Sequence, residues 1–97
     1  MIDYVFEPGL IRSLPVANST ARFPVARVFC LGRNYHWGDS QNAPREMPAF
    51  FMKPATSVID AEGELDFPPL TEQFCHEIEL VVAIGTGGFN IEEAQAL

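Results

Sequence analysis

Residues 76–85 read His-Glu-Ile-Glu-Leu-Val-Val-Ala-Ile-Gly, an acidic start followed by an unbroken apolar run. Aliphatic and β-branched residues over this length, closed by a glycine, predict a buried strand. Because side chains alternate along a strand, Glu77 and Glu79 are expected to point to the same face. The segment therefore predicts a central strand with two neighbouring carboxylates at its beginning.

This carboxylate pair has two interpretations. Two like charges side by side repel each other, and burying them is costly unless a cation compensates. Mg²⁺, Mn²⁺ and Ca²⁺ prefer oxygen ligands, so a divalent ion would remove that cost. A solvated strand end, where two acids cost little, fits the local pattern equally well. Since such ions take about six or more ligands, Glu77 and Glu79 could form only part of a metal site.

The bulk composition narrows the class of protein. The 97 residues suffice for one small domain, and an apolar share of 47% argues against disorder. A net charge of −7 disfavours binding to nucleic acid or to an anionic membrane, since both need clustered Lys and Arg. Two cysteines, no signal peptide and no apolar run of transmembrane length predict a cytoplasmic protein.

Several further segments predict a mostly β chain with short helices, an α+β class. Residues 10–25 contain prolines and turn formers, and are expected to form an extended arm. A helix is predicted from Asn90 to Leu97. It would stop after about two turns, which suggests a truncated chain. Short runs rich in apolar residues predict strands at residues 2–7, 26–31, 49–53 and 57–60.

The loop after residues 26–31 carries a second group of candidate residues. Arg33 can hold a carboxylate through two parallel hydrogen bonds. His36 and Asp39 are three residues apart, so one helical turn would bring them together and suit the imidazole to general-base work. On spacing alone, a surface loop with a chance histidine is the alternative. Lys53 is the only lysine in the sequence, and is either a cation facing a substrate or a charge at a strand end.

Four short motifs stand in order at residues 29–35, 48–54, 67–69 and 76–85. Taken together, they resemble the fumarylacetoacetate hydrolase family over residues 23–97. The opening Met-Ile-Asp-Tyr-Val-Phe-Glu-Pro is similar to the fumarylpyruvate hydrolase branch. The resemblance implies the N-terminal part of a mixed β-roll, usually built into dimers. Residues 1–22 would be a strand and an arm, and residues 23–97 the first part of the catalytic domain.

The same resemblance implies roles for the candidate residues. Glu77 and Glu79 correspond to two of three carboxylate ligands of Mg²⁺ or Mn²⁺, the third being absent from this chain. The chain alone is therefore expected to bind metal weakly or not at all. His36 and Asp39 correspond to a lid histidine and its acidic partner, and Arg33 and Lys53 to substrate contacts.

The lid assignment involves a gap in the alignment. His36 follows Tyr35 directly, where the family has two more residues, and Asp39 stands where the family usually has Glu. An ungapped alignment would put Gly38 at the histidine position instead. The gapped alignment restores the His-x-x-acid spacing and is the one we adopt.

The function implied by the resemblance is a divalent-metal hydrolase of a C–C bond in acylpyruvates, of the fumarylpyruvate type. The substrate would be a small anionic keto acid, and a homodimer or a complementing segment would supply what the chain lacks. A decarboxylase or isomerase of the same family is one alternative. A catalytically inactive fragment that acts as an oligomerisation or partner-binding module is the other.

Overall fold

The computed structural model describes residues 1–35, 44 and 46–97, which form two compact units, Met1–Glu64 (unit 1) and Leu65–Leu97 (unit 2). The regular elements of the described residues are mostly strands, with two single-turn 3₁₀ helices, which confirms the mostly β class with short helices. The elements are β1 (Ser13–Pro15), β2 (Arg22–Pro24), β3 (Arg27–Gly32), β4 (Ala49–Pro54), and the 3₁₀ helices Ala55–Ser57 and Glu93–Gln95.

The predicted arm folds back on itself as an antiparallel hairpin. In β1 and β2, Leu14 lies opposite Phe23, and both are half-buried. The connecting turn places Asn18 in the left-handed region with φ 57°, a conformation that asparagine tolerates better than most residues. Prolines close both strands, which suits an edge position because proline has no N–H to donate. The prolines that suggested an unpaired arm thus end short paired strands.

Arg22 holds this hairpin together through its side chain. Its Nε donates to Ser13 Oγ at 2.7 Å, and its Nη2 donates to the Ser13 carbonyl oxygen at 2.9 Å. The same Nη2 lies 4.0 Å from Asp60 Oδ1. One guanidinium therefore connects β1, β2 and the segment that follows the first 3₁₀ helix.

The β3–β4 ladder is the longest pairing in the described residues. It is antiparallel, and runs from Arg27 opposite Pro54 to Gly32 opposite Ala49. The strands predicted over residues 26–31 and 49–53 are confirmed to within one residue. In the first half of β3, half-buried Val28 and Cys30 alternate with exposed Arg27 and Phe29, as the period of two requires. On the opposite face, the Arg27 guanidinium carbon lies 5.6 Å from the centre of the Phe29 ring.

Unit 2 contains no strand, so the strand predicted over residues 76–85 is not formed. A strand is defined by its hydrogen-bonded neighbour, and no segment among the described residues pairs with this one. Within the unit, the Phe67 and Phe74 rings meet edge to face with centroids 5.9 Å apart. Only Pro68 is half-buried, and the rest of the unit is exposed.

Three other local predictions are also wrong. Residues 2–7 and 57–60 find no strand partner in the described part of the chain and form no strand. The predicted C-terminal helix is reduced to the 3₁₀ turn Glu93–Gln95. Asn90 cannot cap a helix N-terminus, because its φ of 49° is left-handed, whereas a cap residue is extended. In the part of the chain that is described, no helix has the length and apolarity to cross a bilayer.

Candidate functional site

Arg33 stands one residue beyond β3 and has an uncommon backbone conformation. Its φ is 58°, which is left-handed and is rarely adopted by a long side chain. A glycine is the residue that most easily supplies a sharp turn out of a strand. Instead Gly32 is the last paired residue of β3, and Arg33 itself takes the left-handed conformation. The residue with the strained backbone, Arg33, is therefore also the one that the sequence predicts to contact a carboxylate.

Glu46 is the partner of Arg33, and sequence patterns did not identify it. Its Oε2 lies 3.8 Å from Arg33 Nε, and the side chains are 67% (Arg33) and 77% (Glu46) exposed. Glu46 precedes β4 by three residues, and Arg33 follows β3 by one. The antiparallel pairing thus brings together two charges that are thirteen positions apart in the sequence, a proximity that no local spacing rule could reveal.

Lys53 lies near the other end of the same ladder. It pairs with Val28, five residues before Arg33. At about 3.4 Å of rise per residue, the two cationic residues are separated by roughly 17 Å of strand. The exposed Lys53 side chain shares the strand face of Val28 and Cys30, since opposed residues of a ladder point to the same side. Arg33 and Lys53 are therefore two separate cationic positions in unit 1.

Glu77 and Glu79 lie in unit 2, and both are exposed. The carboxylate chemistry of this pair suits a hard divalent cation. The number of donors is smaller than a full ligand set, because no three Asp, Glu, His or Cys side chains of the described residues come close enough to hold a metal ion. The pair therefore fits Mg²⁺ or Mn²⁺ in the kind of donor, but two carboxylates are too few to complete a coordination shell.

The proposed general base cannot be placed in this geometry. His36 and Asp39, together with Gly38 of the alternative alignment, lie outside the described residues. Their pairing stays a prediction from sequence.

Comparison with known proteins identifies the family to which these segments belong. The family description "Fumarylacetoacetate (FAA) hydrolase C-terminal" matches residues 27–97, which is most of the chain. The chain belongs to the fumarylacetoacetate hydrolase family. The match begins at the first residue of β3 and includes Arg33, Lys53, Glu77 and Glu79.

The names of individual relatives specify two kinds of activity, hydrolase and tautomerase. The chain is 36% identical to the caffeoylpyruvate hydrolase of Neonothopanus nambi over 79% of its own length and 29% of that protein. It is 35% identical to a fumarylpyruvate hydrolase of Ralstonia sp over 53% and 27%, respectively. It is 32% identical to a mitochondrial oxaloacetate tautomerase of Arabidopsis thaliana over 73% and 33%.

These likenesses cover a limited part of each relative. The chain spans about a third of the length of the curated relatives that it matches. No solved structure matches it. The family is therefore shown by sequence, while the activity of the whole protein remains a matter for proposal.

Proposed function

We propose that this chain contributes to a divalent-metal-dependent enzyme that hydrolyses a C–C bond in acylpyruvates of the fumarylpyruvate type. The family match over residues 27–97 carries the proposal, because it includes both carboxylates and both candidate cations. The similarity to two hydrolases whose names specify an acylpyruvate supports the substrate class. The finer fold, the mixed β-roll of that family, is part of the same proposal.

Unit 2 would supply Glu77 and Glu79 as carboxylate ligands of Mg²⁺ or Mn²⁺, with further ligands from outside this chain. When bound, such an ion would supply Lewis-acid polarisation of the keto-acid oxygens. Unit 1 would supply Arg33 and Lys53 as cations for the carboxylate and carbonyl oxygens of the substrate. Both are exposed, as contacts to a ligand arriving from solvent must be.

The proton transfers are assigned to His36, held in its tautomer by Asp39. His36 would take a proton from water, and the resulting hydroxide would add to the acyl carbonyl carbon. The bond between that carbon and the methylene of the pyruvate part then breaks. The methylene receives a proton, and the products are a carboxylic acid and pyruvate. Water is the only co-reactant, and no redox step is involved.

The test is turnover of fumarylpyruvate by the chain with added Mg²⁺ or Mn²⁺. The double variant Glu77→Ala/Glu79→Ala should abolish any metal-dependent turnover. The variant Glu92→Ala/Glu93→Ala removes the same charge from the same unit and should retain it. Activity that survives the first double variant would exclude the metal role of this pair.

An isomerase of the same family is a second candidate, because the Arabidopsis relative is named an oxaloacetate tautomerase. Tautomerisation moves a proton between carbon and oxygen and needs no attacking water. Enol oxaloacetate should then lose its absorbance faster in the presence of the chain, with no cleavage product. Formation of pyruvate from an acylpyruvate under the same conditions would favour the hydrolase.

A partner-binding module is the third candidate, favoured by the exposed apolar residues of unit 2. Ile78, Leu80 and Ile84 are exposed by 89%, 83% and 68%, respectively. Apolar side chains at such density usually mark an interaction surface. Light scattering should show a homodimer or larger species if copies cover this segment. A monomer at every concentration, together with metal-dependent turnover, would reject this candidate.

A further inference from the structure

The ion pair between Arg33 and Glu46 lies at the open end of the β3–β4 ladder. The last paired residues are Gly32 and Ala49, so both charges extend beyond the final rung. Arg33 Nε and Glu46 Oε2 are 3.8 Å apart. The guanidinium of Arg33 therefore already contacts a carboxylate, the same chemical group that the substrate would carry.

The contact has the properties of a weak, exchangeable one. A charge-assisted hydrogen bond from a guanidinium to a carboxylate is about 2.7–2.9 Å long, so 3.8 Å is an ionic contact without a formed hydrogen bond. More than two thirds of each side chain is exposed to water. Exposed pairs of this kind change an equilibrium by a factor of about five at most. A second carboxylate could displace Glu46 at little cost.

The backbone of Arg33 is a second, independent observation. Its left-handed conformation with φ 58° is uncommon for a side chain with a Cβ. Such strain concentrates at ligand-binding positions. Neither the strain nor the ion pair is needed to continue the ladder, which ends at Gly32.

We propose that Glu46 is an internal competitor for Arg33. In the ligand-free chain its carboxylate occupies the guanidinium, and a carboxylate of the keto acid replaces it on binding. The inference rests on the proposed role of Arg33 as a substrate contact. The exchange swaps one carboxylate for another, and no covalent bond forms or breaks. Removing the charge of Glu46 should therefore strengthen the binding of carboxylates at Arg33.

The experiment measures fumarate binding to the ¹⁵N-labelled chain without added metal. Fumarate carries two carboxylates but no keto group, so it tests the cation alone. The Nε–Hε signal of Arg33 reports the contact directly. In Glu46→Gln, the dissociation constant of fumarate at this signal should fall about two- to five-fold. The variant Glu62→Gln is the matched control, because it removes one exposed acid of the same unit and should leave the constant unchanged.

A second comparison tests whether the gain acts through Arg33. Lysine keeps the charge but loses the planar fork of donors. Signals of the β3–β4 ladder serve as the reporter in these variants. When Arg33→Lys is already present, adding Glu46→Gln should lower the dissociation constant of fumarate. The fold change should be less than half of the one that Glu46→Gln gives in the native background.

Each other outcome would overturn the inference. An unchanged or weaker affinity in Glu46→Gln would show that Glu46 does not compete. An equal gain in affinity for fumarate in Glu62→Gln would show that the effect arises from net charge and not from competition at Arg33. If fumarate perturbs Arg33 in no variant, both the competition and the substrate role of Arg33 fail. That result would leave the carboxylates of unit 2 to be judged separately by cation titration.

Discussion

The two units differ in what holds their backbones. In unit 1, β3 and β4 pair over six residues each, and β1 and β2 pair over three. In unit 2, residues 76–85 enter no strand ladder with the described part of the chain, although their strand pattern is stronger than that of β3 or β4. An apolar, β-branched run therefore only favours the strand conformation, whereas a strand forms where a neighbouring segment accepts its hydrogen bonds.

The largest expected effect is a contrast in hydrogen exchange between the units. Amides hydrogen-bonded in the β3–β4 ladder should exchange roughly tenfold or more slowly than amides of residues 76–85 in the isolated chain. The reason is that the second segment belongs to no strand ladder of the described residues, whereas β3 and β4 are paired along their whole length. Equal protection in both segments would break the comparison, and would show that residues 76–85 pair in solution.

A smaller effect concerns the turn at Arg33. Arg33→Gly should stabilise the ladder by about 1 kcal/mol relative to Arg33→Ala, because glycine adopts a positive φ without the Cβ penalty. Both variants lack the guanidinium, so the comparison isolates the backbone. Urea midpoints reported by ladder amides provide the measurement. An alanine variant as stable as the glycine variant would contradict the left-handed conformation.

The smallest effect concerns the hairpin of β1 and β2. Ser13→Ala removes the hydroxyl that accepts from Arg22 Nε at 2.7 Å but keeps the backbone acceptor. A loss of about 0.5–1 kcal/mol in local stability is expected, since the exposed groups can turn to water. The amide of Val25, bonded to the Arg12 carbonyl at 2.8 Å, reports it. The exposed Ser57→Ala serves as the control. Equal losses in both variants would discount the Arg22 contact.

The elements predicted correctly are those that depend mainly on residues adjacent in the sequence. The strands around Cys30 and Phe51 are predicted to within one residue. Four short segments predict a family likeness over residues 23–97, and the family match covers residues 27–97 of that range. The pairing of residues 13–15 with 22–24 was not predicted, because proline is usually evidence against a strand. Here each proline lies at the end of an edge strand, where it is tolerated. The contact of Arg33 with Glu46 was missed because strand pairing, not spacing, creates it. The roles of Glu77 and Glu79 are still predictions.

The most direct measurement is a titration of the ¹⁵N-labelled chain with Mn²⁺, whose paramagnetism broadens nearby signals. We expect selective broadening at residues 76–80 at roughly millimolar Mn²⁺, because two carboxylates do not make a complete ligand set. The broadening should disappear in Glu77→Gln/Glu79→Gln and persist in Glu92→Gln/Glu93→Gln. Broadening spread evenly over all acidic residues, or unchanged by the first double variant, would contradict the assignment of this pair as metal ligands.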